Sequence, residues 1–275
     1  MFLWFHKFGS PPHFYRIAGK WIPWLTALFL VLLVSGLYGG LVLAPPDYQQ
    51  GDSYRIIFIH VPAAWMSMFV YVSMAVCGVV IIVWRMKLAE VVLICSAPIG
   101  ASFTFLALAT GSIWGKPMWG TWWAWDPRLT SFLILFLFYL GYIALWAAIE
   151  DPDTAADLTS ILCLVGSVFA LLSRYAVRFW NQGLHQGTSV PVATGGRTVD
   201  DTFFVPLAIS RAGFVLLVLA LVLYSAGTEI RTRRAAALLA RAERLQARAR
   251  ILRGITAVND ETRLRIADRL RRLGG

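Results

Sequence analysis

The sequence predicts an all-α integral membrane protein: six transmembrane helices with both termini in the cytoplasm, a short tryptophan-rich loop on the outer face and a basic soluble helix at the C-terminus. Three observations carry that expectation. Of the 275 residues, 58% are hydrophobic and only 15% charged, against roughly 25% charged in an ordinary soluble domain, and mean hydropathy is +0.65. Six apolar runs, near 21–43, 59–84, 91–113, 129–149, 159–180 and 203–227, are each long enough, at about 1.5 Å per residue, to cross about 30 Å of hydrocarbon. The basic residues are placed unevenly. Lys7, Arg16 and Lys20 precede the first run, Arg85 and Lys87 follow the second, and thirteen arginines follow Thr228, whereas the opposite loops carry only Arg55, Lys116, Arg128 and Arg197. That bias puts both ends in the cytoplasm and leaves residues 44–58, 114–128 and 181–202 outside.

Taken in order, residues 1–20 form a cytoplasmic tail in which His6 and His13 read as ordinary polar residues, and 21–227 form the membrane domain. Val42-Leu43-Ala44 resembles a signal-peptidase site, but the run before it is too long for a signal segment and Pro45 follows directly, so the first run stays a span. Trp4, Trp21, Trp24, Trp84 and Trp180 suit an interfacial aromatic belt. The connection Glu150-Asp151-Pro152-Asp153 is acidic and does not help the sidedness. Cys77, Cys95 and Cys163 sit in apolar runs without C-x-x-C or C-x-x-C-H spacing, so disulfides, thiol redox chemistry and haem attachment through cysteine have no support. Arg211 lies inside the sixth run with no partner named by the sequence. Residues 228–275, rich in Arg, Ala and Leu, form a soluble helix beside anionic lipid; the net charge of +10 is a topology signal and nucleic acid is not invoked.

Residues 114–125 hold five tryptophans in twelve positions. A belt scatters one or two rings at each span end, whereas Trp114, Trp119, Trp122, Trp123 and Trp125 lie beside glycines that allow a flat body to approach and are followed by Asp126 and Arg128. If the segment makes a helical turn, Trp119, Trp122, Trp123 and Asp126 share a face, and Pro127 ends the turn. Two histidines lie on the same outer side. His60 opens span two two residues before Pro62, near the positive end of a helix, which favours a neutral imidazole; His185 follows span five between glycines. Neutral imidazole suits iron, and two axial histidines with a stacking surface describe a haem site. Zinc would want three or four ligands that this face does not offer. Arg55, Lys116, Arg128, Arg174 and Arg178 are candidates to meet the two propionates.

The pattern Trp114-Gly115-x-Pro117-Met118-Trp119-Gly120-Thr121-Trp122-Trp123-x-Trp125-Asp126-x-Arg128 resembles the WWD signature of the haem-handling proteins of cytochrome c maturation. Ile59-His60-Val61-Pro62-Ala63-Ala64-Trp65 and Trp180-Asn181-x-x-Leu184-His185-Gln186-Gly187 resemble the C component of that system, CcmC or haem exporter protein C, over residues 15–227. The resemblance implies a bacterial inner-membrane protein in which His60 and His185 are axial ligands of haem b (iron-protoporphyrin IX), held at the outer face on Trp114, Trp119, Trp122, Trp123, Trp125 and Asp126. It further implies delivery to the periplasmic haem chaperone CcmE, and CcmD and the ATP-binding-cassette transporter subunits CcmA and CcmB as partners. The tail beyond Thr228 and Asn181-Gln182-Gly183, where a second Trp is expected beside Trp180, depart from the pattern.

A non-enzymatic holder with no catalytic triad is the reading this favours. A haem lyase, a transmembrane haem transporter and a quinone-binding subunit are the competitors. The transporter reading expects polar residues at mid-depth, and the runs show few beyond Arg211 and scattered Ser and Thr.

Overall fold

The computed structural model describes residues 11–179 and 199–273. Six helices follow one another: α1 (Pro11–Tyr38), α2 (Ile57–Trp84), α3 (Lys87–Trp119), α4 (Pro127–Ala148), α5 (Pro152–Phe179) and α6 (Asp201–Leu273). Among the described residues there is no strand, only an isolated bridge between Asp47 and Gly51. All six helices are long and apolar enough to cross a membrane. Hydropathy places their centres well and their ends short: α3 runs six residues beyond the expected end of its span, because residues 114–119 are polar and aromatic yet still helical.

The turns follow from local chemistry. α1 loosens into a π turn at Gly39–Leu43 and stops before Pro45-Pro46, which cannot continue a helix. The Asp47 carboxylate accepts from the backbone N–H groups of Gln49 and Gln50, and a 3-10 turn, Asp52–Ile56, feeds directly into α2. Arg85 closes α2 in the left-handed conformation, φ 53°, and two residues suffice to turn the chain into α3, so these helices pack as antiparallel neighbours. α3 packs in turn on α4, α4 on α5, and α5 back on α2. At the centre Tyr139 donates to the carbonyl of Ser67 at 2.7 Å and meets Tyr71 edge to face at 4.8 Å.

α6 docks on α1 through small residues. A Cβ added to Gly36 would lie 2.4 Å from the backbone nitrogen of Ser210, and one at Gly213 would lie 2.8 Å from that of Leu33. The helices therefore touch backbone to backbone, the packing that replaces hydrophobic collapse in lipid. Ser210 also donates its hydroxyl to the Phe58 carbonyl at 2.8 Å.

The acidic connection that did not help the sidedness has partners. Asp153 pairs with Lys87 and Asp157 with Arg85, so the α4–α5 connection meets the α2–α3 connection. The fold divides at Gly227–Thr228 into two units. In the second, the side chains described are exposed apart from the half-buried Glu229, Ile230 and Arg233, and i,i+4 pairs such as Arg233 with Glu229 and Arg265 with Glu261 support the helix.

Candidate functional site

His60 is the fourth residue of α2. Its Nδ1 lies 3.0 Å from Oγ1 of Thr110 on α3, and that hydroxyl donates its one hydrogen to the Leu106 carbonyl at 2.6 Å. The threonine oxygen can then accept from Nδ1, the arrangement in which a neutral ring keeps its lone pair on Nε2. Gly111 makes the approach possible: a Cβ there would sit 3.1 Å from His60 Cε1. One turn along, Trp114 meets the imidazole edge to face, centroids 5.6 Å apart.

Trp114 is held in turn. Its indole N–H donates to Oε1 of Gln50 at 3.0 Å, and Tyr54 lies edge-on to it at 6.3 Å while touching Phe203 of α6 at 5.1 Å. Around them Ala44, Ile57, Phe58, Val61 and Leu207 form a small apolar cluster. The segment after α1 and the start of α6 thus gather around Trp114, the α3 ring that meets the imidazole.

The tryptophan segment is not the helical turn expected from its spacing. Trp119 is the last residue of α3, Gly120 caps it at φ 75°, and only residues 120–126 are non-helical. Pro127 does not end a turn but begins α4, and Asp126 is the N-cap, its carboxylate accepting from the Leu129 N–H at 2.6 Å. That role explains why Asp126 is 3% exposed. Within the loop the Thr121 hydroxyl donates to the Trp123 carbonyl at 2.9 Å, and Trp123 and Trp125 meet edge to face at 5.6 Å. Lys116 donates to the Gly120 carbonyl and sits 5.9 Å from the Trp122 ring centre. Trp122 and Trp125 are 59% and 72% exposed. The Trp123 indole N–H is buried and donates to no described group.

The cations divide. Arg55 donates to Asp52 at 2.9 Å and to the carbonyls of Gly40 and Leu41 at 3.3 and 3.2 Å, bracing the end of α1. Arg128 is half-buried as the second residue of α4. His185 lies outside the described residues, as do the side chains of Arg174 and Arg178. Arg211, without a partner in the sequence reading, rests its guanidinium 5.1 Å above the Trp65 ring. Thr110, Gly111, Gln50 and Tyr54 are positioning residues that the sequence reading missed. Thr110 and Gly111 precede Trp114 by four and three positions, the helical spacing that places them on its face, and became legible only once α3 was known to run through Trp114. Among the described residues no three His, Cys, Asp or Glu side chains come together. What the arrangement offers is an imidazole hydrogen-bonded through Nδ1 beside flat aromatic surfaces, which suits a planar, iron-bearing body.

The profile of the heme exporter protein C family matches residues 4–241. The heme exporter protein C of Paracoccus denitrificans is 55% identical over 238 residues, 86% of this chain and 98% of that protein. The Rhodobacter capsulatus protein of the same name is 49% identical over 84% of this chain and 96% of its own length, and that of Escherichia coli K12 49% identical over 77% and 84%. With family and relatives matching across the whole membrane domain, the chain belongs to the heme exporter protein C family.

Proposed function

We propose that this protein holds haem b at the outer face of the membrane between His60 and His185, displays it on the tryptophan segment and passes it to the periplasmic haem chaperone CcmE. At the coarser level, family membership makes it a haem-handling, multi-pass protein of the bacterial inner membrane that serves cytochrome c maturation. The observation that supports the finer reading is the His60–Thr110–Leu106 relay, which fixes the proton on Nδ1 and presents Nε2 as the metal-binding nitrogen, the hydrogen-bonded second shell that ligating histidines ordinarily have. Gly111 and the edge-on Trp114 then set the plane of the ring. The cargo supplies the iron and the reactive porphyrin edge; the chain's own work is to bind, orient and exclude water. Trp122 and Trp125, exposed in the loop, are the rings available to an incoming chaperone. CcmD and the transporter subunits CcmA and CcmB are the further partners of this reading, with both termini and the basic tail in the cytoplasm.

The test is the visible spectrum of detergent-purified protein, wild type against His60→Ala and His185→Ala, with and without co-expressed chaperone. A six-coordinate bis-histidine spectrum that is lost or changes ligation in each variant is the expected result. Unchanged spectra in both would sink the ligand assignment. Haem retained by His60→Ala while transfer stops would instead favour a lyase.

A further inference from the structure

Arg211 is a cation among apolar helices. In the sequence it lies ten residues into α6, at a depth where an ionised side chain is costly without a partner. The packing relocates it. The Ser210 hydroxyl is bonded to the Phe58 carbonyl, which sets this turn of α6 against the first turn of α2, two residues before His60. At the start of α6, Phe203 and Leu207 pack around Tyr54, Phe58 and Trp114. These contacts set Arg211 at the end of the bundle that carries His60, between the levels of His60 and Trp65, which are separated by about 7.5 Å of helix rise.

Its guanidinium is held over the Trp65 ring, 5.1 Å from the centroid. Among the described residues no carboxylate lies within salt-bridge distance of it. Stacking on an indole satisfies the face of a guanidinium and leaves its coplanar N–H edge to bind an anion in a bidentate manner. Of the other cations assigned to this face, Arg55 is engaged with Asp52 and two backbone carbonyls and Lys116 with the Gly120 carbonyl. A porphyrin ligated at His60 is wider than one helical turn and carries its two carboxylates on one edge.

We propose that Arg211, seated on Trp65 near the level of His60, binds a propionate carboxylate of the haem and so fixes which edge of the macrocycle turns toward the tryptophan segment. This rests on the haem reading above and adds an orienting cation to it. A lipid phosphate would be met by the same chemistry, so the test separates the two sources.

Dissociation constants for haem and for haem dimethyl ester, which lacks the carboxylates, are measured by tryptophan quenching in neutral detergent for wild type, Arg211→Gln, Arg211→Lys and His60→Ala. Wild type is expected to prefer haem over the diester by about 10- to 100-fold, the range for a charge-assisted bond. Arg211→Gln should lose most of that preference through weaker haem binding, with diester binding unchanged, and Arg211→Lys should keep part of it. A preference in Arg211→Gln equal to that of wild type, or equal weakening toward both ligands, overturns the proposal. Thermal unfolding with added phosphatidylglycerol forms the second arm: stabilisation that depends on Arg211, with the haem-to-diester preference intact in Arg211→Gln, assigns the cation to lipid and overturns it as well. Binding by His60→Ala as tight as wild type would instead overturn the ligand reading beneath, an outcome distinct from the others.

Discussion

In the haem site we propose, a hydroxyl on the neighbouring helix orients His60. Thr110 gives its hydrogen to Leu106, and its oxygen can accept from Nδ1, the arrangement that leaves Nε2 for a ligand. Thr110→Val removes that acceptor while keeping shape, and is expected to weaken haem binding about 10- to 100-fold, as other losses from the outer shell of metal sites do. Thr110→Ser should retain most of the affinity; titration of the Soret band checks both. Gly111→Ala tests the neighbouring contact. The new methyl would press to within 3.1 Å of His60 Cε1, so the ring must tilt, and an altered axial-ligand spectrum with a normal unfolding temperature is the expected signature. At this scale the sequence displayed the chemistry-bearing residues, His60 and Trp114, because their types are rare and their setting unusual. It hid Thr110, Gly111 and Gln50, whose roles come from one helix passing another. Arg211 was visible only as an anomaly, since its depth depends on where α6 docks.

Between α3 and α4 the aromatic segment is shaped by two helix ends. Gly120 stops one in the left-handed region and Asp126 starts the other, so five loop residues are fixed by backbone caps rather than by stacking. Asp126→Ala removes the acceptor of the Leu129 N–H and is expected to cost about 1 kcal/mol in unfolding free energy. Asp126→Asn, which keeps an oxygen there, should cost far less; denaturation in detergent followed by circular dichroism separates the two. Asp151 works in the same way ahead of α5. Its carboxylate accepts from the hydroxyl and the backbone N–H of Thr154, and these bonds hold its pKa below the ordinary 3.8. A lowered folded value means the contribution is complete above 3.8 and fades as pH falls through the folded value. The element boundaries were the least legible part of the sequence for a physical reason: hydropathy reports where lipid begins, and helices such as α3 continue past that plane into residues that prefer the interface.

At the scale of the molecule, the basic tail is separable from the haem site we propose. The family profile ends at residue 241 and the fold divides after Gly227, so a chain ending at Arg241 is expected to keep the haem spectrum and content of the full protein. The sidedness we propose rests on a different observation. The α2–α3 and α4–α5 connections meet through Lys87 with Asp153 and Arg85 with Asp157, which an even number of crossings between them requires. The acidic connection, uninformative by residue counting, thereby inherits the side of its basic partner. In the topology we propose, positive charge puts that side in the cytoplasm and the α3–α4 loop, one crossing away, outside. In a variant with Cys77, Cys95 and Cys163 replaced, cysteines introduced at Gln49 and Thr121 should react with an impermeant maleimide in intact spheroplasts, and those at Met86 and Asp151 only after permeabilisation. The opposite pattern would put His60 and the tryptophans in the cytoplasm, where a periplasmic chaperone could not reach them, and delivery would have to be replaced by transport through the spans.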